Sequence, residues 1–304
     1  MTSATRARSG VGGSVALIIG SCVSLQFGAA LAVQLFPALG SWGVTALRLT
    51  IAALILVVAV RPRLGGWTRT QWLAVVGFGL ALGAMNGFFY AALERIPLGT
   101  AVAIEFLGPL VLAACLTRRG SDVAWVGVAL AGMALLGIDS AVGAEALDPL
   151  GVVFALVAAA FWALYIRTSA RVGRLVPGLG GLAMALVVAS VALLPFGVPA
   201  VAGVALDPGL LALAIGTAVL ASVVPYVLEL LALRRLPQRV FGVLLSLEPV
   251  IAALAGWLLL AQAMSPLRIA AVALVVAASV GTALAARRTT EAPALTGAIP
   301  VIPD

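Results

Sequence analysis

Long runs of apolar residues, separated by short polar or Gly/Pro-containing turns, follow one another from residue 12 to residue 286. Ten runs are long enough to cross a bilayer: 12–36, 42–60, 72–92, 99–117, 123–139, 150–167, 179–197, 209–232, 240–261 and 266–286. A hydrocarbon core about 30 Å thick takes roughly 20 residues of helix, and only helices or closed barrels satisfy their backbone inside it. The pattern predicts an all-α polytopic membrane protein with ten transmembrane helices. The connections are too short for a soluble domain. Residues 1–11 read as a solvated leader, and 289–304, with Pro and Thr but no apolar period, as a disordered tail. The first run is too long for a signal-peptide core, so it is expected to remain as an uncleaved first helix.

Composition agrees, with 63% hydrophobic residues, 10% charged residues and a mean hydropathy of +1.21. A net charge of +7 prompts a nucleic-acid hypothesis, but position explains it better. With a cytoplasmic N-terminus, fifteen of the eighteen arginines, Arg61, Arg63, Arg171 and Arg288 among them, fall on the cytoplasmic side. Arg95 and Arg268 fall outside, and Arg48 lies within the second run. This positive-inside bias predicts both termini in the cytoplasm and leaves the bilayer, not a nucleic acid, as the large partner. The absence of His removes His-based catalysis, His metal ligands and His proton relays. Two apolar-span cysteines, Cys22 and Cys115, cannot make a structural zinc site, so neither metal nor cofactor is expected.

A shift of 140 positions aligns ALERIPLGTAVAIEFLGPL (92–110) with ALRRLPQRVFGVLLSLEPV (232–250), matching Pro97 with Pro237 and Pro109 with Pro249. The repeat unit is then five helices, 12–141 and 148–288. An odd number of spans places the two units in opposite orientations, an architecture that sets a transport site between the halves near the midplane. Pro109 and Pro249 fall inside the fourth and ninth spans, where each removes a backbone hydrogen bond, and the pair is expected to act as hinges.

Four ionisable residues lie within the spans: Arg48, Glu105, Glu229 and Glu248. Each costs about 2.5–3.5 kcal/mol near a helix centre on insertion scales, so a partner or a wet cavity is expected. Arg48, Asn86 and Glu105 stand at similar depth below the outer surface, on stripes that include Tyr90 and small residues. Glu248 lies deepest. Glu229, near the inner end of its span, reads as a structural partner of Arg234 or Arg235. One guanidinium, deep carboxylates and neutral hydrogen-bonding groups suit a small zwitterion. Arg48 can grip a carboxylate in a bidentate fork, and Glu105 or Glu248 can meet an ammonium. Arg48, Asn86, Tyr90 and Glu105 are the expected substrate-binding residues. Glu248, then Glu105, are the expected proton-coupling residues, since few other side chains here can exchange a proton near neutral pH.

The segments QFGAALAVQLFPALGSWGVTALRLTIAALIL (26–56), GAMNGFFYAALERIPLGTAVAIEFLGPL (83–110) and VPYVLELLALRRLPQRVFGVLLSLEPVIAALAG (224–256) resemble threonine/homoserine exporters, EamA-type members of the drug/metabolite transporter superfamily. The resemblance runs over residues 12–288 and is most specific in TALRL, PLGTAVAIEFLGPL, VPY and LPQRVFG. It implies ten helices in two EamA repeats, a bacterial inner membrane and proton-linked amino-acid efflux, with protons and a small amino acid as partners. Export of other metabolites or of drugs is the nearest alternative. An intramembrane enzyme is disfavoured by the lack of His, of HExxH and of a phosphate-binding glycine loop.

Overall fold

The computed structural model describes residues 3–117, 120–142, 147–205, 207–233, 244–245 and 247–285. Every regular element among them is helical. The first helical stretch, Ser3–Val60, is interrupted at Gly40, whose φ of 67° and ψ of 157° are not helical. Glycine adopts positive φ without the steric cost of a Cβ, so the chain turns there into two helices, α1 (3–39) and α2 (41–60). α1 begins within the stretch read as a leader. The tail 289–304 lies outside the described residues.

α3 (Arg69–Leu93) starts in a capping box: Thr68 accepts from the Gln71 N–H, while Gln71 Oε1 accepts from the Thr68 N–H at 2.8 Å. Gln71 Nε2 also donates to the Leu175 carbonyl at 2.7 Å, tying this end of α3 to the end of α6. α4 spans 98–117 in two pieces, Leu98–Glu105 and Leu107–Thr117, joined at Phe106. α5 is Gly120–Val142.

α6 (Pro149–Leu175) and α9 (208–233) both begin Asp-Pro, with Asp148 and Asp207 capping the free N–H groups and a proline in the first turn. Arg95, one of the two arginines expected outside, donates to Asp148 at 2.9 Å. That hydrogen bond, with the Leu150 N–H, holds the Asp148 carboxyl below the usual carboxylate range.

The span expected over 179–197 falls on two helices, α7 (Gly180–Ala192) and α8 (Leu194–Ala205), the second running beyond it. The chain bends by 74° at Leu193. Pro195 follows within two residues, and its missing N–H and ring bulk disfavour continuation. Within α9, Val219–Val223 wind as a π-helix. α10 runs from Glu248 to Leu260 and α11 from Pro266 to Ala285.

α3 packs against α6 and α7, α5 against α11, and α4 against α6 and α10. α1 and α2 together pack against α7, α8 and α9. Small residues let backbones approach closely, as expected inside a bilayer. A Cβ on Gly28 would lie 2.5 Å from the Ala221 nitrogen of α9, and one on Gly108 would lie 2.0 Å from the Ala159 carbonyl oxygen of α6. At the α5–α11 contact, Arg268 Nε donates to Asp139 Oδ2 at 2.8 Å and Ser265 Oγ donates to Asp139 Oδ1 at 2.6 Å, with the ion pair buried.

Among the described residues, Arg69–Leu93, Pro149–Leu175 and Pro208–Glu229 are each long and apolar enough to cross a membrane, as is the stretch Val15–Val60. The bent α7–α8 pair makes a further candidate. Polarity is distributed inside-out. Val58, Leu258 and Val198 are exposed, whereas Gln26, Arg48, Glu105 and Glu248 are buried. An apolar exterior around a polar interior is the arrangement lipid demands, and the chain is a multi-pass membrane protein.

Candidate functional site

Five buried polar residues, Gln26, Arg48, Asn86, Glu105 and Glu248, converge on one cavity of about 460 Å³, lined from α1, α2, α3, α4, α6, α9 and α10. Arg48, Asn86, Tyr90, Glu105 and Glu248 all line it, so the tertiary fold brings together every residue expected to bind substrate or carry a proton.

Arg48 is the best-anchored of these. Its side chain is 2% exposed. One Nη donates to the Ala221 carbonyl at 2.9 Å, and the other donates to Asn86 Oδ1. The Ala221 carbonyl is available for a local reason. In an α-helix it would accept from residue 225, which is a proline with no N–H, and the surrounding turn is π-wound. The run VPY thus builds an acceptor for the guanidinium. Asn86 is held in turn, its Nδ2 donating to the Leu82 carbonyl at 2.8 Å. The Tyr90 ring lies 4.6 Å from the guanidinium carbon, a cation–π contact. Arg48 Nε has no hydrogen-bond partner among the described residues, nor does the Tyr90 hydroxyl. A guanidinium carries five N–H donors, so a carboxylate can still be gripped through Nε and one Nη. Arg48 and Glu105 form no ion pair within 4 Å among the described residues; both face the cavity instead.

The carboxylates enter from three elements. Glu105 closes the first piece of α4, and the break at Phe106 follows from Pro109, which cannot donate to the Glu105 carbonyl. Glu248 opens α10. Pro249 therefore stands in the first helical turn, where a missing N–H goes unnoticed, and not within a helix interior as the expected span 240–261 implied. Pro109 lines the cavity, whereas Pro249 is buried beside it.

Glu229 is expected to pair structurally with Arg234 or Arg235, both of which lie outside the described residues. Glu229 lines the cavity and accepts from Ser21 Oγ at 2.8 Å. Gln26, not singled out from the sequence, is 1% exposed and donates through Nε2 to Glu248 Oε1 at 3.2 Å. An aromatic wall of Phe89, Phe106, Trp162, Tyr165 and Tyr226 completes the lining. A bulky amide in the middle of an apolar run was the available signal for Gln26. The aromatic residues gave none, because in a membrane helix they occur on lipid-facing and inward faces alike.

Residues 149–284 match the EamA-like transporter family. The chain is 39% identical to the threonine/homoserine exporter RhtA of Salmonella typhimurium over 87% of this chain and 89% of that one. It is 36% identical to the protein of the same name from Escherichia coli K12, over 90% of this chain and 92% of the relative. A solved crystal structure at 21% identity superposes with a TM-score of 0.60, covering 91% of this chain and 99% of that one, and so shares the fold. A polar cavity enclosed by apolar helices is what a carrier needs, and relatives matched over nearly their whole length are named exporters. The chain belongs to the EamA-like transporter family.

Proposed function

We propose that the protein is a secondary exporter of small neutral amino acids, threonine and homoserine foremost, working by alternating access across the bacterial inner membrane in exchange for protons. The observation that carries this reading is the cavity itself, where an anchored guanidinium with an unpartnered Nε faces buried carboxylates. Arg48 grips the substrate carboxylate, with Asn86 and Tyr90 fixing its position. Glu248 or Glu105 meets the ammonium. The names of the relatives supply the substrate class.

The full architecture in this reading is ten spans in two inverted repeats, 12–141 and 148–288, with both termini cytoplasmic. Cavity lining supports the repeat. Residues 140 positions apart line it in pairs: 26 and 166, 86 and 226, 89 and 229, 105 and 245. Helix packing agrees, since the contacts of α3 with α6 and of α1 with α9 exchange under the same shift. Coupling follows from charge. Glu105, Glu229 and Glu248 face one guanidinium, which leaves carboxylates on which a proton can ride. A proton taken by Glu248 from the periplasm displaces the substrate ammonium there, and its release to the cytoplasm restores the site. Pro109, whose missing N–H lies behind the break in α4 next to Glu105, serves as a hinge.

The test is counterflow in proteoliposomes, screening the twenty amino acids and homoserine against an imposed pH gradient. Threonine and homoserine should exchange fastest, and an inward-directed proton gradient should accelerate their efflux. Flux of neither compound removes the substrate assignment; flux indifferent to pH removes the coupling.

A further inference from the structure

Gln26 is fixed at one end and free at the other. Its Nε2 donates to Glu248 Oε1 at 3.2 Å, while its Oε1 has no partner among the described residues although the side chain is 1% exposed. It lines the same cavity as Arg48 and Glu248. A buried amide oxygen left without a donor is destabilising, because its hydrogen bond to water has been lost and not replaced. Arg48 Nε and the Tyr90 hydroxyl are the other fully buried polar atoms of this cavity without a hydrogen-bond partner among the described residues. Those two belong to the carboxylate end, because the Tyr90 ring lies 4.6 Å from the Arg48 guanidinium carbon. Gln26 instead stands at Glu248, to which it is hydrogen-bonded.

We propose that Gln26 reads a substrate hydroxyl: its Oε1 accepts the hydroxyl proton of a hydroxy amino acid whose ammonium is held by Glu248. The inference rests on the amino-acid export reading above and adds the determinant of selectivity. In threonine the hydroxyl sits on the carbon next to the one bearing the ammonium, and in homoserine one carbon further. Either way it emerges beside the carboxylate that holds the ammonium, which is where Gln26 is tethered. A glutamine held through its nitrogen can swing its oxygen over a short arc and serve both positions. An isostere without the hydroxyl leaves Oε1 unpaired and is rejected, because a site built to hydrogen-bond a hydroxyl discriminates far more strongly than an apolar pocket does.

The experiment compares transport efficiencies of threonine with valine, and of homoserine with norvaline, in proteoliposomes of the full chain. Wild type should favour each hydroxylated substrate by at least about tenfold. Gln26→Met and Gln26→Leu should bring both ratios to within about twofold, with thermal unfolding in detergent reporting that the variants fold. Unchanged ratios in both variants overturn the inference, as does an equal loss of threonine and valine flux, since Gln26 would then act only by positioning Glu248. If wild type moves neither threonine nor homoserine, the export reading falls and this inference with it. A discriminating wild type matched by discriminating variants sinks this inference alone.

Discussion

Arg48 sits where three neighbours use part of its bonding capacity and leave the rest: Asn86, the Ala221 carbonyl and the Tyr90 ring. A lysine there keeps the charge but not the planar fork, so it cannot both hold these anchors and grip a carboxylate. Arg48→Lys is expected to lower transport efficiency by at least about tenfold, or ~1.4 kcal/mol, with membrane insertion intact. Flux assays on normalised protein check this. Glu105→Gln removes a cavity carboxylate while preserving shape, and should abolish or strongly impair amino-acid flux. Normal flux would make Glu105 structural. Glu248→Gln tests the coupling role: substrate-driven proton flux should vanish, and retained pH-driven transport would move the coupling carboxylate to Glu105. These side chains were legible in the sequence because an ionisable group in hydrocarbon is costly whatever surrounds it. Gln26, Ser21 and the aromatic wall were not, because neutral side chains carry no such penalty and declare their role only through their neighbours.

At the scale of elements, the helices owe their positions to local signals and their shapes to prolines. Gly40 turns α1 into α2, Thr68 caps α3, and Asp148 and Asp207 start α6 and α9. Pro225 frees the Ala221 carbonyl that holds Arg48, and Pro109 lies behind the break at Phe106. The α5–α11 contact is clamped by a buried ion pair, Arg268 with Asp139, supported by Ser265. Removing one partner strands the other charge, so Asp139→Asn or Arg268→Met should each destabilise the fold by ~3–5 kcal/mol. The double variant should recover part of that loss. Thermal unfolding in detergent measures it, and a loss under about 1 kcal/mol in both single variants would mean that solvent reaches the pair.

At the scale of the whole molecule, the arginine distribution motivates the orientation proposed above, with both termini cytoplasmic. Arg95 and Arg268, the two arginines expected outside, are each paired with an aspartate, so neither adds a free positive charge to that face. Cysteine labelling in intact cells is expected to reach Asp207→Cys from the periplasm and Arg63→Cys or Arg171→Cys only after permeabilisation. Periplasmic labelling at Arg288→Cys would overturn the ten-span count and the inverted repeat together.

The sequence by itself determined that this is a helical membrane protein, which runs are apolar, and which charged residues must have a purpose. Those properties are local: hydropathy over a span length and the cost of a charge in lipid depend on no distant contact. It also placed the family through runs such as TALRL and VPY, which the matched relatives bear out. Only the tertiary structure decided that Glu229 faces the cavity beside Ser21, that Gln26 is tethered to Glu248, that α7 bends at Leu193 and that α10 starts at Glu248. The cavity contacts among these join residues some 200 positions apart in the chain and depend on which helix faces meet. No periodicity within a single run encodes that choice.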